Sequence, residues 1–257
     1  MTPTDQPETN DNDIQHLARP DGERLAYKQV PGEGPTIVWI GGFRSDMEGT
    51  KALALDAAAR ERGWAFLRYD HFAHGQSSGD WRRATIGRWR EDAVAVLDSL
   101  NGPAILVGSS MGGWVALLAA LARPEAVAGL VLINPAQDFT ETLMWPGLAD
   151  HERQAILRDG ETVVVEEGLG SYVVTRAMFE EARNWLLLGG PIPIKAMTHI
   201  LQGRADDTVP WRYSITLVEQ LTGGDVMLDL IEGGDHRLSQ PADLTRMINA
   251  IDAMRKA

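Results

Sequence analysis

Residues 104–114 read "AILVGSSMGGW". Ala104 to Val107 form an apolar, branched run that predicts a buried strand, and "MGGWVALLAALA" (111–122) has the composition of a helix. Between them Gly108, Ser110 and Gly112 complete the pattern Gly-x-Ser-x-Gly at a strand-to-helix junction. A serine at the centre of such a turn takes strained backbone angles. Glycines two residues to either side avoid collisions with the neighbouring strand and helix. Ser109 has Val107 and Met111 at those positions, so the pattern selects Ser110. The same letters also arise in glycine-rich turns without chemistry, so the reading depends on further residues.

Working outward, "PTIVWIGG" (35–42), "WAFLRYD" (64–70) and "VAGLVLINP" (127–135) read as strands, and "GTKALALDAAARERG" (49–63) and "TIGRWREDAVAVLDSL" (85–100) as helices. Strand and helix alternate, which predicts an α/β fold with a mostly parallel sheet covered on both faces. Asp21-Gly22 predicts an opening antiparallel hairpin. From Ala136 to Lys195 the alternation breaks, and the segment reads as an insertion with a hairpin near 161–174 and a helix over 176–188. The alternation then resumes with strands at 198–203 and 225–233 and helices at 212–221 and 243–254. Residues 1–13, polar and acidic, read as a disordered leader ahead of one domain over 14–257.

Composition narrows the function. A net charge of −12, from 24 basic and 36 acidic residues, disfavours nucleic acid and anionic membrane surfaces as partners. With no cysteine, thiolate chemistry and disulfides are excluded. The apolar runs fall well short of the roughly 18 residues of a membrane span, and the start lacks the features of a secretion or transit signal. These features lead us to expect a cytoplasmic protein.

A serine hydroxyl is a poor nucleophile near neutral pH and needs an imidazole to take its proton and a carboxylate to orient that imidazole. In strand-turn-helix sites the chain order is Ser, acid, His. Of His16, His71, His74, His151, His199 and His236, the order favours His236, in "EGGDHRLSQP" after the last strand. "LQGRADDTVPW" offers Asp206 and Asp207 at another strand end. Asp206 is preferred because Asp207 sits where a cap would, and Asp138 is a third candidate. Two backbone donors are needed for an oxyanion. Met111 N–H, at a helix start, and Phe43 N–H, after Gly41-Gly42, are the candidates.

"GGFRSDMEGTKA" (41–52), "WREDAVAVLDSL" (89–100), "GPAILVGSSMGGW" (102–114), "LARPEAVAGLVLINPA" (121–136), "PIPI" (191–194), "GRADDTVPW" (203–211) and "GGDHRLSQPADL" (233–244) together resemble the α/β-hydrolase superfamily, over about residues 24–255. The resemblance implies an eight-stranded sheet. It also implies a serine hydrolase of acyl esters or thioesters, small molecules or acylated proteins, with Ser110, Asp206 and His236 as triad and no cofactor or metal. It makes residues 136–195 a cap whose Leu143, Met144, Trp145, Met178, Phe179 and Trp185 either line an acyl channel or pack the cap on the sheet. Phe72 and His74, in "RYDHFAHGQSSGD", depart from the resemblance as bulky residues near the acyl entrance. Arg44 and Arg237 are placed to attract a carboxylate-bearing leaving group such as a uronate. Two rival functions keep the same fold: acyl transfer from the same acyl-enzyme, and small-molecule reception without catalysis.

Overall fold

The computed structural model describes residues 14–166 and 170–256; the expected leader lies outside the described residues. Gly22, at φ 87°, turns the chain between β1 (Gln15–Ala18) and β2 (Arg24–Val30), which pair antiparallel as the Asp-Gly signal predicts. β3 (Glu33–Ile40), α1 (Thr50–Arg62), β4 (Trp64–Tyr69), α2 (Ile86–Asp98), β5 (Ala104–Ser109), α3 (Met111–Ala122) and β6 (Val127–Ile133) then alternate.

The segment after β6 contains a π-helical turn (Thr140–Met144) running into the short α4 (Trp145–Gly147), α5 (Asp150–Asp159), a separate antiparallel pair β7 (Glu161–Glu166) and β8 (Gly170–Thr175), and α6 (Arg176–Ala182). β9 (Met197–Gly203), α7 (Arg212–Gln220), β10 (Val226–Ile231) and α8 (Pro241–Arg255) complete the chain.

The main sheet has eight strands in the order β1-β2-β4-β3-β5-β6-β9-β10. β2 is antiparallel to both neighbours and the sheet is parallel from β4 to β10. Alternating side chains of the central strands feed two cores. Ile37, Ile105 and Val131 pack with α1 and α8 on one face. Val38, Leu106 and Leu130 pack with Trp89 of α2, Trp114 of α3 and the segment after β6 on the other. β3 leads to one side of the sheet and β5 to the other, so their C-terminal ends diverge into a crevice, the usual location of a ligand site in open α/β sheets.

The helix expected over 176–188 stops early. α6 ends at Ala182, a 3₁₀ turn follows at Arg183–Trp185, and Leu186 is extended. The buried Asp138 carboxylate accepts from Leu187 N–H at 2.8 Å and Leu188 N–H at 2.8 Å, bonds that a continuing helix could not offer.

Candidate active site

β5 ends at Ser109 and α3 begins at Met111, so the reversal falls on Ser110 alone, at φ 55° and ψ −122°. Such a conformation costs a non-glycine residue about 1–3 kcal/mol and persists only where the surroundings hold it. Ser110 N–H donates to the Ile133 carbonyl at 2.9 Å, and the Ser110 carbonyl accepts from Gly113 and Ala136 N–H groups at 2.8 and 3.0 Å. A serine before a helix ordinarily caps it with its hydroxyl. Ser110 makes no such bond, so its Oγ is not spent on the helix. The glycines matter for the expected reason. A Cβ on Gly108 would lie 2.4 Å from the Gly112 carbonyl oxygen, and one on Gly112 would lie 2.1 Å from that of Ile40.

The loop after β3 sits directly on this turn. A Cβ at Gly42 would be 3.4 Å from Ser110 Cβ. Ser45 closes the loop by donating from its N–H and Oγ to the Gly42 carbonyl at 3.2 and 2.8 Å. Among the described residues no turn or loop carbonyl accepts from the N–H of Phe43 or Met111. Arg44, at φ 58°, follows Phe43 and donates its N–H to His74 Nε2 at 3.1 Å. That bond requires a bare Nε2, so Nδ1 carries the proton and donates it to the Phe72 carbonyl at 3.0 Å. Burial pushes the His74 imidazole below its usual range, which favours this neutral form.

Of the candidate acids, Asp206 meets His236. His236 Nδ1 lies 2.8 Å from Asp206 Oδ2, and Asp206 Oδ1 accepts from Thr208 and Val209 N–H at 2.9 and 2.8 Å. The Asp206 side chain is fully buried, whereas Asp207 is exposed and Asp138 is engaged with Leu187 and Leu188. Burial raises the Asp138 carboxyl above its ordinary range against the pull of those two N–H groups.

Sequence reasoning passed over Asn134, at the end of β6. Its fully buried amide donates to the carbonyls of Asp235 and His236 at 3.0 and 2.8 Å, and its Oδ1 accepts from Gly203 N–H at 2.8 Å. The available signal was an Asn between a strand and Pro135, since Asn tolerates the left-handed conformation found here, φ 44°.

The remaining predicted residues scatter. Arg44 is exposed and its guanidinium lies 4.3 Å over the Tyr172 ring. With His74, Trp81 and Tyr172 it lines a cavity of about 450 Å³ whose lining does not include Ser110. Arg237 is exposed beside His236. Trp145 is half-buried against Phe179, ring centroids 5.0 Å apart.

Trp185 makes contacts of the packing kind, which fasten the segment to the sheet domain. Its Nε1 donates to Glu181 at 2.5 Å, its carbonyl accepts from Trp114 Nε1 at 3.1 Å, and Arg90 lies 4.6 Å over its ring. Met178 and Phe179 are likewise buried in the core. Phe72 is buried under Arg88, 4.4 Å from its ring, and stands clear of the cavity that His74 lines. Among the described residues no group of three His, Asp or Glu side chains gathers as a metal site, and no helix is long and apolar enough to cross a membrane.

Residues 35–181, more than half of the chain, match the family model described as serine aminopeptidase, S33. The chain is 37% identical to bovine palmitoyl-protein thioesterase ABHD10, mitochondrial, over 93% of its own length and 79% of that protein's. Mouse α/β-hydrolase domain-containing protein 10 superposes with a TM-score of 0.86 at 35% identity, covering 95% of this chain and 98% of that one. A putative hydrolase from Agrobacterium vitis S4 superposes with a TM-score of 0.88 at 42% identity, covering 95% and 99%. Identity of this depth, sustained across the whole sheet, means that the chain belongs to the α/β-hydrolase family and is a hydrolase of the branch that includes ABHD10.

Proposed function

We propose that the protein cleaves acyl esters or acyl thioesters through an acyl-enzyme on Ser110. The observation that carries this reading is the 2.8 Å contact between His236 Nδ1 and Asp206 Oδ2. An ionised Asp206 fixes the proton on Nδ1 and leaves Nε2 bare, which is the form of imidazole able to accept a proton from a hydroxyl. Ser110 Oγ attacks the acyl carbonyl as its proton passes to His236 Nε2. The oxyanion is met by the N–H groups of Phe43 and Met111, the latter backed by the positive end of the α3 dipole. Collapse expels the alkoxide or thiolate, which leaves with the proton from His236. Water, deprotonated by the same nitrogen, then releases the acid.

The names of the relatives favour thioesters and acylated proteins as substrates. Leu143, Met144 and Trp145, half-buried on the segment after β6, supply the apolar surface that an acyl chain needs. Arg44, at the cavity beside the oxyanion loop, is the residue to contact an anionic leaving group.

A fluorophosphonate probe should label the wild type and leave Ser110→Ala unlabelled. A panel of p-nitrophenyl esters and acyl thioesters graded by chain length should be turned over. Asp206→Asn, which favours the wrong tautomer, should lose on the order of 10⁴ in kcat. Full turnover by Ser110→Ala sinks the reading. Adding alcohols or amines and analysing the products separates hydrolysis from acyl transfer.

A further inference from the structure

The loop that carries His236 is mostly exposed, with one residue anchored in the core. Asp235 and Arg237 are exposed, His236 is only half-buried, and Leu238 is the buried member, in the left-handed region at φ 43°. Within the loop, Leu238 N–H donates to the Asp235 carboxylate at 2.9 Å and the Ser239 hydroxyl to the Arg237 carbonyl at 3.1 Å. These bonds shape the loop but do not tie it to the sheet. Leu238 packs into the core on one face of the sheet, Ala205 N–H donates to the Gly234 carbonyl at 2.9 Å, and two side chains elsewhere in the chain add direct ties to the loop backbone. Asn134, at the end of β6, donates to the carbonyls of Asp235 and His236. Lys51, in the first turn of α1, donates its Nζ to the carbonyl of Arg237. Three consecutive carbonyls, at 235, 236 and 237, are therefore engaged by side-chain donors from two other elements.

Asn134 also connects this loop to the other two corners of the site. Its Oδ1 accepts from Gly203 N–H, where β9 gives way to the loop bearing Asp206, and its own N–H donates to the Leu201 carbonyl at 2.9 Å. Its neighbours Ile133 and Ala136 bond the Ser110 backbone on either side. One buried amide thus touches the acid loop and the histidine loop while sitting in the segment that holds the serine. An amide is suited to this place because it supplies one acceptor and two donors from a single planar group. A carboxylate of the same shape would have no proton for the two carbonyls.

We propose that Asn134 and Lys51 are positioning residues that hold the His236 loop in register with Ser110 and Asp206, Asn134 setting the imidazole against the acid and Lys51 clamping the far side of the loop. The proposal rests on the reading of His236 as the base. It assigns neither residue any contact with substrate.

The test uses the full chain with Asn134→Asp, Asn134→Gly, Lys51→Gln and Lys51→Arg, and rates per active site counted by end-point fluorophosphonate titration. Asn134→Asp keeps the shape and the acceptor for Gly203 but loses both donors. Asn134→Gly keeps the left-handed backbone and loses all three bonds. Misplacement of a catalytic group by about 1 Å costs roughly a hundredfold, so kcat should fall ten- to a hundredfold in both Asn134 variants and less in Lys51→Gln, with KM changed little. Lys51→Arg should restore most of the loss. In proton NMR, the far-downfield Nδ1–H signal of His236 should move upfield or broaden in the Asn134 variants, which a general loss of stability would not cause in the folded protein. The proposal is overturned if kcat per titrated site and that signal both match wild type, or if neither Asn134 variant folds, which would make the residue a requirement of the fold alone. Ser110→Ala and His236→Ala run alongside: if they retain activity, the base assignment itself is wrong, whereas their inactivity beside normal Asn134 variants removes only the present inference.

Discussion

Ser110 and Ser109 are adjacent and chemically identical, and the backbone alone separates them. Ser109 ends a strand and is buried, while Ser110 occupies φ 55° with its hydroxyl unused by the helix it precedes. The strain is tolerated because nothing larger than hydrogen occupies Gly108 and Gly112. Gly112→Ala would put a methyl 2.1 Å from the Ile40 carbonyl oxygen, a backbone atom of the central strand that has no freedom to move aside. Overpacking of this kind costs typically about 1–3 kcal/mol, occasionally more. Urea unfolding should therefore show Gly112→Ala destabilised by at least that much, and the probe should label Ser110 more slowly even in the folded fraction. A variant with wild-type stability and labelling would mean that α3 slides freely over β3.

At the scale of elements, the strap at Leu186–Leu188 and the His236 loop are each held by a few polar atoms and so respond to single changes. Asp138→Asn tolerates the left-handed φ of 58° but cannot serve both strap N–H groups as well as a carboxylate does. A buried donor left without its partner costs about 1–3 kcal/mol. The expected outcome is a lower unfolding midpoint and a raised KM for long acyl chains, with kcat on a short ester within a fewfold of wild type. A collapse of kcat would instead make Asp138 the acid of the site.

Lys51 gives the histidine loop a pH response. Burial holds the Lys51 ammonium down at about 8, with Arg237 pushing the same way and Asp235, Asp243 and Asp206 pulling it back up. As pH rises through 8 the clamp on the Arg237 carbonyl loses its charge, so kcat should decline above that point, and the decline should be shallower in Lys51→Gln. The stability effect has the opposite sign. Between about 8 and the ordinary lysine value of 10.5 the unfolded chain binds the proton that the folded one has released, so this residue's contribution makes the fold more stable as pH rises. Kinetics and urea unfolding at pH 7.5 and 9.5 read the two trends separately.

For the molecule as a whole, acid is met by a histidine with no place in the proposed reaction. His71 is buried edge-on to Tyr69, ring centroids 5.0 Å apart, and burial, with His74 adding to it, pushes its imidazole down from 6.5 to about 3. Between those values the unfolded chain holds a proton that the folded one refuses, so stability is fully present above about pH 6.5 and is lost as pH falls toward 3. One proton corresponds to about 1.4 kcal/mol per pH unit. His71→Phe, which keeps a ring on Tyr69, should lower that slope in urea unfolding between pH 6.5 and 4.5. An unchanged slope would assign the acid sensitivity to other groups.

The sequence by itself determined the sheet and its connections, because hydrophobic periodicity is a local property: β5 and α3 fall on the residues that "AILVGSSMGGW" and its continuation predict. Glycine spacing likewise selected Ser110, since the collisions it avoids are implicit in a strand turning into a helix. What only the tertiary structure decided are choices between chemically equivalent groups far apart in the chain. Asp206 is distinguished from Asp138 and Asp207 by which carboxylate is buried against His236. Trp185 is fixed by contacts with Glu181, Arg90 and Trp114. Asn134 and Lys51 have no local signature because the carbonyls they hold lie about a hundred or more residues away, and no pattern in sequence encodes a hydrogen bond to a distant backbone.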